Sequence, residues 1–87
     1  MTPAQRRCLL LAASDPSGWI QRHGNTGYWR GKPHPDFTNK SNWVGTVTVG
    51  RCFRRGWLAT LHSAPLRRTE VCFITPAGRA ALEGNDG

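Results

Sequence analysis

The stretch from Thr46 to Leu58 limits what this chain can build more than any other. Read as a helix, Val49, Cys52 and Phe53 fall at i, i+3 and i+4 and share one face. Val47, Arg51 and Arg54 fall at i, i+4 and i+7 on the other face, with Thr46 and Arg55 beside them. Gly56 follows the Arg54–Arg55 pair, where a glycine can take the left-handed conformation that ends a helix. The competing reading is a strand. Residues 43–49 are rich in β-branched side chains, and Gly45 and Gly50 weaken a helix. The spacing of Val49, Cys52 and Phe53 decides for a helix, starting at Ser41, Asn42 or Thr46, each of which can cap. Such a helix turns one side to a core and offers cations on the other.

The cations matter because the whole chain is basic. Its 87 residues carry a net charge of +7 with only five acidic side chains. That length suits one domain spanning 1–87 with a modest core. The charge points to a polyanionic partner, nucleic acid first and an anionic membrane surface second. The plain alternative is a basic protein with no polyanion in its biology. No apolar run approaches the ~20 residues that span a bilayer. The run from Cys8 to Ala13 after Arg6–Arg7 is short, and Asp15 to Gly18 is a poor cleavage site, so no signal peptide and a cytoplasmic location are expected. Cys8, Cys52 and Cys72 are odd in number, far apart and set among apolar neighbours, which reads as reduced core cysteines. A zinc site would need clustered ligands, whereas His23, His34 and His62 are isolated. Neither a metal nor a cofactor is expected.

Along the chain, Thr2, Pro3 and Gln5 form a helix start with a capping box. The helix runs to about Ala13, with Cys8, Leu9 and Ala12 inward, Leu11 at the margin, and Gln5 and Arg6 toward solvent. Trp19 to Arg22 reads as a short strand. Gly24 to Gly27 is turn material, and Tyr28 to Arg30 is the returning strand. Lys32 to Pro35 is extended, and Pro35 to Lys40 opens a short helix. This aromatic and basic region admits two uses. Tyr28, Trp29, Arg30 and Lys32 could form a surface for a protein partner or for bases; alternatively the rings supply core. Trp19 and Phe37 are assigned to the core, while Tyr28 and Trp29 stay open between the two. Trp57 to Leu61 reads as a strand, Ser63 to Arg68 as a loop turning at Pro65, and Thr69 to Thr75 as the return strand. In that strand Val71 and Phe73 share one face, and Cys72 and Ile74 the other. Pro76 to Glu83 is a last short helix capped at Thr75.

Two stretches carry a resemblance. Thr46 to Leu58 looks like a recognition helix running into a wing strand. Ile74 to Leu82 is similar to the Thr-Pro-x-Gly-Arg sequence that closes the wing in MarR-like and PadR-like bacterial regulators. The element order resembles a winged helix-turn-helix. The fold class it implies is α+β, three helices with a C-terminal β-hairpin wing. An irregular aromatic, Gly/Pro-rich segment stands in place of a full second helix, and that is a departure from the family.

The resemblance implies a function as well. The exposed face of the recognition helix enters the DNA major groove, a role that falls on Thr46, Val47, Gly50, Arg51, Arg54 and Arg55. Arg51 suits a guanine edge, Val47 a thymine methyl, and Gly50 a close backbone approach. The wing tip would meet the backbone through Arg67 and Arg68, with His62 nearby. The expectation is a small transcriptional regulator, bacterial or phage, that binds double-stranded DNA as a homodimer. The alternative is a winged-helix interaction module, such as a phage or mobile-element inhibitor or assembly factor. An enzyme is not expected, because Asp15, Asp36, Glu70, Glu83 and Asp86 form no pair for acid–base work and no histidine neighbours a nucleophile.

Overall fold

Local signals at Thr2, Pro3 and Gln5 fix the start of the first helix. A computed structural model of the chain describes residues 1–14, 18–24, 27–31 and 43–84. Helix α1 (Pro3–Ala13) opens with the expected capping box. The Gln5 amide donates to Thr2 Oγ1 at 3.1 Å, and the Thr2 amide donates to Gln5 Oε1 at 2.9 Å. Cys8, Leu9 and Ala12 are fully buried. Gln5 is buried too, only 7% exposed, which corrects the expectation that it faces solvent. The reason is periodic: residues 5, 8, 9 and 12 form one i, i+3, i+4, i+7 stripe. Satisfying the helix start lets a polar side chain occupy that stripe.

Three strands follow: β1 (Trp19–Arg22), β2 (Tyr28–Gly31) and β3 (Trp43–Gly45). Helix α2 (Thr46–Arg54) leads to β4 (Leu58–Ala59), then β5 (Val71–Ile74) and α3 (Pro76–Leu82). The five strands make one antiparallel sheet in the order β3-β2-β1-β5-β4. The described residues are therefore α+β, with three helices and a five-stranded sheet. The hairpin expected from Trp19–Arg22 and the returning strand at Tyr28 forms, and β3 adds a third strand to it. Lys32 to Lys40, including the short helix expected from Pro35 and the core assignment of Phe37, lie outside the described residues.

Strand alternation sorts the side chains. Ile20, Trp29, Val44 and Cys72 point to one face and are buried, together with Leu9, Val49, Cys52 and Leu58. The helices cover this face. Trp29 is fully buried. It belongs to the core, which corrects its place in a partner surface. Trp19 alternates to the other face, where it is half-buried and stacks on Phe73 at 6.1 Å between centroids. It is not part of the helix-covered core to which it was assigned.

The C-terminal half keeps its order but not its lengths. The strand expected over Trp57 to Leu61 shrinks to two residues, paired as Leu58 with Ile74 and Ala59 with Phe73. Two 3-10 turns, Leu61–Ser63 and Leu66–Arg68, take up the end of the expected strand and the loop expected from Ser63 to Arg68. His62 and Ser63 sit at φ 54° and 56°, a left-handed pair that turns the chain away from the ladder, and Pro65 has no N–H to donate to it. Helix α3 begins as read: Thr75 Oγ1 accepts from the Gly78 amide at 3.0 Å and donates to the Gly56 carbonyl at 2.6 Å.

Candidate nucleic-acid interface

Helix α2 grows directly out of β3. Its N-cap is Gly45, and no side chain caps it. Thr46 is the first helical residue, and its hydroxyl donates instead to the Gly27 carbonyl at 2.8 Å, tying the helix start to the turn before β2. Ser41 and Asn42, the other cap candidates, lie outside the described residues. The end is as read, with Gly56 at φ 77° and its amide bonded to the Phe53 carbonyl at 3.0 Å. Val49 and Cys52 are buried, and Phe53 is half-buried.

The outward face of α2 carries the expected residues. Val47 is 67% exposed. Arg51, Arg54 and Arg55 are exposed, and Thr46 is half-buried. The Arg55 guanidinium lies 5.3 Å from the Trp57 ring centroid, a cation–π contact that holds it close to the end of the helix. Gly50 is different. It is buried, and a Cβ built on it would meet Leu66 Cδ2 at 3.8 Å and an Arg54 nitrogen at 3.5 Å. The second 3-10 turn covers it at ordinary contact distance, and it is not available for close approach by a duplex.

A groove of ≈ 420 Å³ lies between α2 and the turn, lined by Arg22, Thr46, Gly50, Phe53, Arg54, Leu66 and Arg67. Phe53 and Leu66 give it apolar lining, and it takes one cation from each element, Arg54 from α2 and Arg67 from the turn. Arg67, Arg68 and His62 are exposed. A shallower hollow on the far side of α2 is lined by Gln5, Arg51, Arg54 and Arg55. Arg54 borders both, so the cations of the helix and of the turn form one surface.

Arg22 fixes the turn. It leaves β1 on the helix side of the sheet, and its guanidinium lies 4.5 Å over the Trp29 ring. Its Nη2 donates to the Leu66 carbonyl at 2.9 Å and its Nε to the Thr69 carbonyl at 3.2 Å. The sequence places Arg22 only at the end of a strand in the aromatic and basic region, with no link to the turn. Strand alternation was the one available signal, since it puts residues 20 and 22 on the same side.

Of the proposed partner surface, Tyr28 is 48% exposed, Arg30 is half-buried and Trp29 is enclosed, while Lys32 lies outside the described residues. Tyr28 and Trp29 are not exposed together. Cys8, Cys52 and Cys72 are free and buried. Among the described residues no group of three or more His, Cys, Asp or Glu side chains could hold a metal ion. No helix among them is long and apolar enough to cross a membrane. No family model, no curated protein and no solved structure matches this chain.

Proposed function

We propose that this chain is a small DNA-binding protein of winged-helix type, acting in the cytoplasm as a transcriptional regulator. The observation that carries the reading is the shared cationic surface of α2 and the second 3-10 turn, where Arg54 and Arg67 line one groove. Arg51 and Val47 project from the same helix, one suited to a guanine edge and the other to a thymine methyl. The turn bearing Arg67 and Arg68 takes the place of a wing and meets phosphates. The order helix, strand, helix, hairpin, helix supports the winged-helix assignment. Two additional strands occupy the place between β1 and α2 where the family has a second helix. Helix α2 has nine residues, so one copy reads few base pairs and a homodimer is part of the reading.

A gel-shift with random and selected duplexes in graded salt, with the mass of the free protein measured alongside, tests it. The expected result is binding that falls steeply with salt and a preference among sequences. Salt-insensitive or absent duplex binding overturns it.

A further inference from the structure

The side of the sheet away from the helices carries a pattern that duplex binding by α2 does not use. Alternation from Ile20, Trp29, Val44 and Cys72, which are buried beneath the helices, puts Trp19, Tyr28, Arg30, Trp43 and Phe73 on the opposite face. The registers make this concrete. Trp19 pairs with Phe73 across β1 and β5, and Arg30 pairs with Trp43 across β2 and β3.

The rings form two groups. Trp19 and Phe73 stack at 6.1 Å with planes 28° apart. Trp43 lies 5.6 Å from Tyr28 and 4.9 Å from His23, tilted against both. Two strand spacings and two residues of rise separate Trp19 from Trp43, which puts the groups about 12 Å apart. Arg30 stands between them. Among the described residues of this face there is no carboxylate. Tyr28 is 48% exposed, and the other three large rings are half-buried.

We infer that this sheet face is a binding platform for single-stranded nucleic acid. Every base has a π-face, so rings fixed in a rigid sheet bind a strand with little regard to sequence. Ring groups about 12 Å apart match two or three nucleotides of an extended strand. Arg30 and the +7 charge of the chain supply the attraction for its phosphates. A duplex offers no base faces along its length, so the platform discriminates for unpaired strands. It lies across the sheet from α2 and stands or falls apart from the duplex reading.

The test is titration of the intact chain with a decathymidylate, followed by tryptophan fluorescence, beside inorganic polyphosphate of equal charge. Stacking is expected to quench the tryptophans with the oligonucleotide and not with polyphosphate. Tyr28→Ala, at an exposed position, should weaken oligonucleotide binding about tenfold, while Tyr28→Phe stays within about twofold. Arg51→Ala should leave single-strand binding unchanged, and Tyr28→Ala should leave duplex binding unchanged. Equal quenching by polyphosphate, or equal affinity of the Tyr28→Ala chain, would overturn the platform. Self-association that Tyr28→Ala abolishes, with no oligonucleotide binding, would overturn it in favour of a second copy of the chain.

Discussion

Arg22 lies 4.5 Å over the ring of Trp29 and from there reaches the carbonyl of Leu66 at 2.9 Å. One guanidinium thus seals a core tryptophan and anchors the turn that carries Arg67 and Arg68. Its planar fork does both, which a lysine cannot. Arg22→Ala is expected to lower stability by about 2–3 kcal/mol, from the lost charged hydrogen bonds and the ring contact. Duplex affinity should fall as well, since the turn loses its anchor. Arg22→Lys should recover less than half of either loss. Urea denaturation and gel-shifts measure the two effects. A stable Arg22→Ala chain with full affinity would mean the turn is held by other contacts.

Arg51 and Arg67 are assigned different jobs, and salt separates them. Arg51→Ala should cost about 1–3 kcal/mol on a preferred duplex and relax the preference. Arg67→Ala should weaken binding to all duplexes alike and reduce the salt slope by about one. Binding isotherms on preferred and scrambled duplexes between low and moderate salt provide the check. Equal losses with unchanged preference would show that Arg51 touches only backbone.

Gly78 in α3 has no room for a side chain. A Cβ there would collide with the Trp57 carbonyl and come within 2.9 Å of Ile74 Cγ1. The carbonyl is fixed, because it also accepts from the Thr75 amide at 3.0 Å. Gly78→Ala is therefore expected to destabilise by about 1–3 kcal/mol despite the better helix propensity of alanine. The midpoint of chemical denaturation reads this directly, and a raised midpoint would contradict the close approach.

Two buried thiols, Cys8 and Cys72, make stability depend on alkaline pH. Burial pushes the Cys72 thiol up to about 12, partly offset by the charge of Arg22. The Cys8 thiol is raised further by its hydrogen bond with Cys52 and by burial. In the unfolded chain these thiols ionise near their ordinary pKa of 9.0. Above that pH the folded state holds more protons than the unfolded one, so stability falls as pH rises. The contribution is complete below pH 9 and, for Cys72, is lost between 9 and about 12. Urea midpoints from pH 7 to 11 should be level at first and then decline, and the decline should be shallower in Cys72→Ala. At pH 8 a thiol reagent should label none of the three cysteines until denaturant is added.

Much of the local architecture is legible in the sequence because short-range chemistry decides it. Thr2, Pro3 and Gln5 define the first helix start, and Thr75 with Pro76 the last. Gly56 ends α2, and the spacing of Val49, Cys52 and Phe53 outweighs the β-branched run before it. The exposed cations Arg51, Arg54, Arg67 and Arg68 also follow from the sequence, since nothing near them in the chain could bury them. What periodicity could not supply was the partner of each strand. Because β1 pairs with both β2 and β5, Trp29 turns inward under the helices while Trp19 turns to the far face. The same pairing carries Arg22 to the turn 44 residues away. Gly50 likewise packs against Leu66 rather than offering its backbone to a duplex. The chain's order of local preferences is written residue by residue, but which ring is core and which is surface depends on contacts between distant segments, and only their assembly sets those.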